Sequence, residues 1–524
     1  MRSQLHSENP LLDFWESTRL SADEALDPPE PERPDAATAA DQALRVVLAD
    51  ALGRGCGQRP GTVLAKDGTF VQARTTPSAG ALYPFEVLVS LGPGGTTYLY
   101  EIDAGRLSPL ASGPPVPPDE LAAGAGIGGR GGAVPRAVVV FAARPWRSMA
   151  KYGVRGYRYT FLDTGHAASN LALALRDAGL SATVHLRFRR QWLAHALGLA
   201  GTCREPQAVV TVTGTPEPPT RDADAARPVW LDRGQARLDP PDDAERRNFA
   251  TLRGISLSYG PATPPWPGQA TSLSEARHGG RAAGPGGPGG PAPVWLPRRK
   301  AGPGDRAELM ARRESAKGFL PDPIPLARLA ALLDGVNGGL DADFADPELG
   351  VAVRIVARAV EGLAPGAHAY APSGHMLLPM GEGEVAEADV LETCQRQAGL
   401  RHAAALVLLH APVPEVLREH GRGGLAELHF HAAHVAQRMC LNATAAGLGL
   451  TCVGGFDEAH GARLGRLSRD EEIVYLLAVG VPDPAARKTD REAVAYSHGR
   501  TVVDAGGPPV RTGGAAAGEV DVAC

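Results

Sequence analysis

The stretch RTTPSAGALYPFE, residues 74–86, has the composition of a shaped loop rather than that of a helix or a strand. Pro77 fixes its own φ angle, and Gly80 admits backbone conformations that other residues avoid. The run Pro77-Ser78-Ala79-Gly80 therefore predicts a loop with free backbone N–H groups and one hydroxyl, which can lie against a flat polar ligand. The alternative is an ordinary turn that leads into the apolar run after it.

Three polar side chains share one short segment of the second half of the chain. Arg313, Ser315 and Lys317 stand at alternate positions of RRESAKGF, residues 312–319. They can offer a guanidinium, a hydroxyl and an ammonium group to an anionic or polar edge of a ligand. The alternative is a solvated basic surface.

Two further pairs of residues follow in the same half. Gly454 and Gly455 remove side chains where a planar ligand must approach backbone amides, although a Gly-Gly pair also suits a β-bulge. Arg487 and Lys488 follow the last apolar strand pattern and can close on a phosphate, or else belong to a solvated surface.

A histidine cluster offers a competing chemistry. His429, His431 and His434 have the spacing H-x-H-x-x-H, and imidazoles three apart on a helix can share a metal ion. No Glu-x-x-His motif or cysteine pair completes a ligand set, and His434 aligns with His166 in the repeat described below. We therefore predict helix residues at a domain interface, and no metal site.

Composition limits the classes of protein to consider. The 524 residues are too many for one typical domain, and a net charge of −5 with a pI near 6.3 argues against a nucleic-acid partner. The six cysteines are scattered, which favours reduced thiols. The N-terminal stretch has no apolar signal region, and no apolar run has the length of a membrane span. We expect a cytoplasmic protein without membrane contact.

The elements that must position these residues occur twice, at an offset of about 268 residues. HAASNLALALRDAGL (166–180) aligns without gaps with HVAQRMCLNATAAGL (434–448), and each pattern predicts an amphipathic helix closed by a glycine. The strands SATVHLRF and GLTCVGGF follow, and then AVVTVTGTPEP and VYLLAVGVPDP. Upstream, YLYEIDAGRLSP and HAYAPSGHMLLP predict equivalent hairpins.

The repeat predicts an α+β layer architecture with two tandem domains that pack as an intramolecular pseudo-dimer. Between the copies, Pro- and Gly-rich sequence predicts a linker. The expected organisation is a 1–39 N-terminal extension, a first domain at 40–215, a linker region at 216–304, a second domain at 305–490 and a 491–524 tail.

The segments described so far resemble the nitroreductase-fold flavoenzymes, and more narrowly the SagB-type azoline dehydrogenases of thiazole- and oxazole-forming peptide pathways. PSAGALYPFE (77–86) resembles the Pro-Ser-Ala-Gly-Ala-Leu-Tyr-Pro signature of that branch, and KYGVRGYRYTFLDTGHAASN (151–170) resembles its Lys-Tyr segment. RRESAKGF and TCVGGFDE (451–458) resemble motifs of nitroreductases generally. The resemblance covers about residues 40–215 and 305–490.

The resemblance implies FMN at a dimer interface, between the Pro-Ser loop of one protomer and the Arg-x-Ser-x-Lys and Gly-Phe elements of the other. The first copy has the Pro-Ser loop but not the Arg-x-Ser-x-Lys segment, and its turn reads HLRF. The second copy has the other two elements but passes from LDADFADPELG directly into VAVRIVA. Each copy thus retains a different half, which predicts one composite FMN site. Its expected residues are Pro77, Ser78, Ala79, Gly80, Leu82, Arg313, Ser315, Lys317, Gly454, Gly455, Arg487 and Lys488.

The same resemblance implies a reaction in which an azoline ring loses a proton and a hydride to become an azole, with FMN as the hydride acceptor. Lys151 and Tyr152 are the expected catalytic residues, because a partly desolvated lysine can accept the proton and a phenol can orient or relay it. The alternative is a Lys-Tyr pair on an exposed loop.

The leading functional hypothesis is an FMN-dependent azoline dehydrogenase in the biosynthesis of a ribosomally made, modified peptide. Its expected partners are the precursor peptide, a cyclodehydratase and dioxygen as electron acceptor, and further dimerisation remains open. One alternative keeps the fold and reduces nitro, quinone or enone substrates with NAD(P)H. Another, of a different class, is a flavin-free scaffold that binds the peptide or the cyclodehydratase.

Overall fold

A six-stranded and an eight-stranded antiparallel sheet form the framework of the chain, and six strands of the larger sheet repeat the strand order of the smaller one. The computed structural model describes residues 39–64, 70–111, 114–128, 133–152, 155–200, 202, 204–216, 228–229, 231, 292–298, 305–338, 340–343, 351–486, 501–503 and 510–511.

The first domain surrounds a sheet with the order β5-β4-β3-β6-β8-β7. Its strands are β1 Gln58–Leu64, β2 Phe70–Arg74, β3 Phe85–Leu91, β4 Thr96–Glu101, β5 Arg106–Pro109, β6 Ala137–Ala143, β7 Ser181–His185 and β8 Glu205–Thr213. Its helices are α1 Ala39–Cys56, α2 Pro118–Gly124, α3 Pro145–Tyr152, α4 Arg155–Asp177 and α5 Arg190–Ala196. Strands β1 and β2 form a separate antiparallel pair.

The second domain repeats the order as β15-β14-β12-β16-β18-β17. Its strands are β9 Val294–Trp295, β10 Phe319–Leu320, β11 Ile324–Pro325, β12 Ala352–Ala357, β13 Val360–Glu361, β14 Gly366–Ala371, β15 Met376–Glu382, β16 Ala405–Ala411, β17 Gly449–Val453 and β18 Glu472–Pro482. Its helices are α6 Arg306–Arg312, α7 Leu326–Leu333, α8 Glu387–Thr393, α9 Val413–Ala446 and α10 Glu458–Leu464. The predicted repeat and its antiparallel strands are confirmed.

The central strands are apolar on both sides because helices cover both faces of each sheet. In β6, Val139 and Phe141 pack toward one core and Val138 and Val140 toward another, as the two-residue period of a strand requires. The central helices α4 and α9 are both followed by a glycine in the left-handed region, Gly179 at φ 75° and Gly447 at φ 65°. Both predicted helix ends are confirmed.

The two domains exchange side chains across their interface. Tyr159 and Leu162 of α4 pack into the core of the second domain, and Phe430 of α9 and Ala342 pack into the core of the first. Leu162 and Phe430 occupy equivalent positions of the repeat, so the exchange is reciprocal. This is the packing of a homodimer interface within one chain, and the predicted α+β pseudo-dimer is confirmed.

Some residues outside the two repeats also join the sheets. In the 216–304 region, Val229 hydrogen-bonds to the end of β5 and β9 pairs with β15, so the predicted linker contributes to both sheet edges. In the predicted 491–524 tail, β19 Thr501–Val503 and β20 Val510–Arg511 extend the β1–β2 pair. The 1–38 part of the predicted extension lies outside the described residues. Within the described part of the chain, no helix has the length and apolarity needed to span a membrane.

Candidate functional site

The Pro77-Gly80 loop is held in place by a carboxyl group of the central helix. The Ser78 hydroxyl donates to Asp163 Oδ2 at 2.5 Å and accepts from the Tyr83 N–H at 2.9 Å, while the Ala79 N–H donates to Asp163 Oδ1 at 3.3 Å. Two of the polar groups expected to face a ligand therefore bind within the protein. Asp163 was not among the predicted site residues.

The conformation of this loop is strained. Gly80 lies at φ 62°, and the non-glycine residues Ala81 and Tyr83 lie at φ 58° and φ 46°. A residue with a Cβ in this region costs about 1–2 kcal/mol. Such strain persists only where the surrounding contacts impose it, and it is frequent at functional sites.

Helix α3 brings Lys151 and Tyr152 against this loop. A Cβ added to Gly80 would lie 2.5 Å from the Tyr152 hydroxyl and 3.3 Å from Lys151 Nζ. Both side chains are half-buried, and the Lys151 ammonium lies 5.6 Å from the centre of the Tyr152 ring. The structure therefore brings the Lys-Tyr segment against the Pro-Ser loop, and the absence of a side chain at Gly80 leaves room for Lys151 and Tyr152.

A chain of contacts continues from Tyr152 to the second domain. The rings of Tyr152 and Tyr159 meet edge to face with their centres 5.1 Å apart. Tyr159 Oη donates to the Gly454 carbonyl at 2.7 Å, and two nitrogens of Arg155 donate to the same oxygen at 3.2 and 3.1 Å. Arg155 also binds Glu458. The Gly-Gly turn is thus fixed by the first domain.

The Arg-x-Ser-x-Lys segment also contacts the loop region, but its arginine binds protein groups. The Arg313 guanidinium is buried and donates to the carbonyls of Thr75 at 2.8 Å and Arg74 at 3.2 Å. Its third nitrogen donates to Ser315 Oγ at 3.3 Å, and Lys317 Nζ donates to the Ser315 carbonyl at 2.6 Å. Arg313 therefore anchors the strand before Pro77 across the domain interface.

The remaining predicted residues divide into three groups. Leu82 and Pro77 are buried beside the loop. Gly455 is exposed, and a Cβ added to it would meet no heavy atom within 4 Å. Arg487 and Lys488 lie outside the described residues.

The segment directly before Pro77 contains buried polar groups that lack hydrogen-bond partners among the described residues. Thr75 Oγ1, Thr76 Oγ1 and Arg74 Nη1 are buried and have no hydrogen-bond partner among the described residues. A buried polar group left unpaired costs about 1–3 kcal/mol. The segment that Arg313 anchors therefore favours a polar ligand that supplies the missing partners. Their position directly before Pro77 is a weak sequence signal for these residues.

Burial controls the charge of the residue beneath the loop. Asp163 is 2% exposed, and this desolvation raises its pKa to about 8, against the opposing effect of the Ser78 and Ala79 hydrogen bonds. The loop is consequently held by a group that is mostly protonated at neutral pH.

The equivalent cleft on the other side of the pseudo-dimer contains a carboxylate of the chain itself. Leu186 and Arg187 align with Gly454 and Gly455, and their N–H groups donate to Asp343 at 2.9 and 3.2 Å. In the first cleft, the N–H groups of the two glycines have no acceptor among the described residues. The two clefts therefore differ in whether a protein carboxylate occupies the turn.

An ion pair fills the same second cleft. Arg187 binds Glu427 through two hydrogen bonds of 2.8 and 3.0 Å, and Glu427 is the repeat equivalent of Tyr159. Among the residues that the structure describes, no Pro-Ser loop approaches this turn. Asp341 does approach it, accepting a hydrogen bond from Thr183 at 2.7 Å.

The three histidines of the H-x-H-x-x-H motif are buried in α9. His429 accepts a hydrogen bond from Arg158 at 3.0 Å, and burial lowers its pKa to about 3. His434 contacts Ser169 Oγ at 3.2 Å, and burial lowers its pKa to about 3 as well. In the described part of the chain, no group of three or more His, Cys, Asp or Glu residues is arranged to hold a metal ion.

Fold and geometry together define a tandem α+β protein in which, among the described residues, a strained loop, a Lys-Tyr pair and a Gly-Gly turn meet between the two domains. The model of the nitroreductase family matches residues 41–215 and 310–481. The chain belongs to the nitroreductase family, a family of oxidoreductases.

Individual relatives support the fold. MJ1384 of Methanocaldococcus jannaschii, named as a nitroreductase, is 25% identical over 155 residues, which are 28% of this chain and 78% of that protein. A crystal structure from Anabaena variabilis, also named as a nitroreductase, has a TM-score of 0.64 at 19% identity and covers 90% of this chain and 97% of its own. That likeness spans both domains.

A third likeness is to a chain of the E. coli microcin synthetase McbBCD complex with truncated pro-MccB17 bound. It has a TM-score of 0.28 at 21% identity and covers 41% of this chain and 85% of the other. At that TM-score the likeness carries no argument about substrate.

Proposed function

We propose that the chain is an FMN-dependent dehydrogenase that oxidises an azoline ring of a precursor peptide to an azole. The observation that carries the proposal is the approach of Lys151 and Tyr152 to Gly80, which brings an amine and a phenol to the loop at the open cleft. The sequence resemblance to azoline dehydrogenases comes from the same two motifs.

The residues of the first cleft fit a flavin in three respects. Gly455 leaves open space beside its backbone, and the N–H groups of the Gly-Gly turn have no protein acceptor among the described residues. The buried hydroxyls of Thr75 and Thr76 need polar partners. We assign flavin contacts to this turn and to Ser315, Lys317 and the two threonines, and we assign Ser78 and Arg313 to positioning the loop.

When bound, FMN supplies a hydride acceptor. Lys151 removes the proton from the neighbouring ring carbon, and the Tyr152 hydroxyl orients the Lys151 amine or the ring heteroatom. The contact between Tyr152 and Tyr159, which binds Gly454, fixes the phenol relative to the turn. Holding both groups against the same loop reduces the reorganisation required at the moment of reaction.

The proposal includes one FMN for each chain. Asp343 takes the turn N–H groups of the second cleft, and the Arg187–Glu427 ion pair lies beside them. A flavin there would compete with a carboxylate that already has these donors. The expected partners are a precursor peptide that carries the azoline, a cyclodehydratase that forms it, and dioxygen as electron acceptor.

The experiment compares Lys151→Ala and Tyr152→Phe with the wild-type chain on a synthetic azoline peptide. We expect both variants to retain flavin and to lose about 10²-fold or more of the azole-forming rate, which is typical for loss of a general acid or base. Tyr98→Phe is the control, because it removes a buried hydroxyl from β4 of the same domain.

Three results would contradict the proposal. Full azoline oxidation in both variants would remove the assignment of Lys151 and Tyr152. Rapid reduction of the flavin by NADPH with sustained turnover of a nitroarene, and none of the azoline, would favour the reductase alternative. A purified protein without a flavin spectrum that also fails to take up added FMN would favour the scaffold alternative.

A further inference from the structure

Two cysteine thiols meet beneath the open cleft. Cys440 of α9 and Cys452 of β17 have their sulfur atoms 3.9 Å apart. Cys440 is buried, whereas Cys452 is half-buried and stands two residues before Gly454. A disulfide has an S–S length of about 2 Å, so side-chain rotation has about 2 Å to close.

The contact between the two thiols favours a thiolate at Cys452. The hydrogen bond from Cys440 lowers the pKa of the Cys452 thiol against the opposing effect of burial, while the hydrogen bond to Cys452 and burial raise the pKa of Cys440. In contrast, burial raises the pKa values of Cys56 and Cys394 to about 12, in Cys56 against the opposing charge of Arg74. Reactivity toward oxidants follows thiolate character and access.

A polar chain between the central helices fixes the imidazole beside the thiols. Gln437 Nε2 donates to Asn170 Oδ1 at 2.7 Å, so Gln437 Oε1 is the acceptor for His166 Nδ1 at 2.8 Å. The other nitrogen of His166 lies 3.3 Å from the Tyr475 hydroxyl. This orientation turns the Nε2 side of His166 toward the group that contains Tyr475 and Cys452.

We propose that Cys452 and Cys440 form a peroxide-reactive thiol pair, in which Cys452 reacts first with a hydroperoxide and Cys440 then closes an intramolecular disulfide. The supporting geometry is the close contact of two thiols from different elements, one of which belongs to a half-buried residue. The proposal rests on the proposed function only for a source of peroxide, since dioxygen accepting two electrons yields hydrogen peroxide.

The reaction balances with hydrogen peroxide as oxidant. The Cys452 sulfur attacks one peroxide oxygen, the O–O bond breaks, and the departing hydroxide takes a proton to become water. The Cys440 sulfur then attacks the sulfur of the Cys452 sulfenic acid, and the second oxygen leaves as water with the Cys440 proton. Two electrons pass from the thiol pair to the peroxide, and the products are one disulfide and two waters.

The test uses the full chain with Cys203→Ser and Cys524→Ser, because these two cysteines lie outside the described residues. One equivalent of hydrogen peroxide is added, the remaining thiols are blocked with a maleimide, and peptides are mapped by mass spectrometry. We expect a Cys440–Cys452 cross-link and, before the maleimide is added, an intact mass lower by two hydrogen atoms.

Two variants and two internal controls make the outcome decisive. Cys440→Ser should stop at a Cys452 sulfenic acid that dimedone captures, and Cys452→Ser should leave Cys440 as a thiol. Without peroxide, Cys452 should react with the maleimide at least about tenfold faster than Cys394 or Cys56, since each pKa unit changes the thiolate fraction tenfold.

The proposal is overturned if the folded chain with Cys203→Ser and Cys524→Ser retains both thiols after peroxide, or if Cys452 is oxidised while Cys440 stays free. It is also overturned if the cross-link forms between chains. Because peroxide is added directly, these outcomes do not depend on azoline oxidation.

Discussion

The carboxyl group beneath the Pro-Ser loop makes stability depend on pH. Asp163 has a folded-state pKa of about 8 against an ordinary value of 3.8, because it is buried. The folded chain therefore binds this proton more tightly than the unfolded chain does. The resulting stability is fully present below about pH 4 and is lost as the pH rises through about 8.

The substitution Asp163→Asn isolates this effect. The amide keeps the shape of the carboxyl group and an acceptor for Ser78 or Ala79 but does not titrate. Each pKa unit corresponds to about 1.4 kcal/mol, so the shift of Asp163 from 3.8 to about 8 represents on the order of 6 kcal/mol. We expect the free energy of unfolding of the wild type, minus that of D163N, to fall by several kcal/mol from about pH 4 to pH 8.

Urea unfolding at a series of pH values measures this difference, with fluorescence and circular dichroism followed together to check that both domains unfold in one transition. Subtracting the curve of the variant removes the titration of every other group. Parallel pH profiles for the two proteins, or a difference that grows toward high pH, would refute the assigned protonation of Asp163.

Three further predictions concern the same cleft. Gly80→Ala should destabilise the chain and reduce the rate of azoline oxidation more than the control Gly105→Ala does. Gly105 has nearly the same φ angle as Gly80, but a Cβ added to it meets no heavy atom within 4 Å. Equal losses of stability and rate in the two variants would contradict this. Ser78→Ala and Arg313→Ala should each weaken flavin binding and combine non-additively, because both position one loop; strictly additive changes in Kd would argue for independent roles. Release of flavin by denaturation should give about one FMN per chain. Asp343→Ala should expose the N–H groups of Leu186 and Arg187 in the second cleft, but the amount of FMN released should not rise to two per chain. A ratio near two in the wild type, at a solution mass measured in parallel, would exclude the single composite site.

Local pattern was sufficient for the repeat and for much of the fold. A short, nearly continuous apolar run suits a buried strand and a helix end favours glycine, so the aligned segments predicted equivalent strands and the Gly179 and Gly447 positions. The missing motifs in each copy predicted a composite cleft, and Arg313 does contact the segment before Pro77. These features depend on neighbours that are close in sequence or repeated at a fixed offset.

Hydrogen-bond partners within the cleft were not predictable in the same way. Ser78 and Arg313 were expected to bind a ligand, but Ser78 binds Asp163, 85 residues away, and Arg313 binds carbonyls of the other domain. A hydroxyl or guanidinium can satisfy a protein group or a ligand equally well. Only the position of the acceptor decides between them.

The sequence by itself determined the duplicated α+β architecture, the presence of a shaped loop at Pro77-Gly80 and the division of motifs between the copies, because each follows from side-chain pattern, backbone freedom or internal comparison. The tertiary structure decided which polar groups face one another. It placed Lys151 and Tyr152 over Gly80, Asp163 beneath Ser78, and Asp343 on the turn of the second cleft. These contacts join residues far apart in the chain, and their energies depend on distance and burial, which no single stretch of sequence encodes.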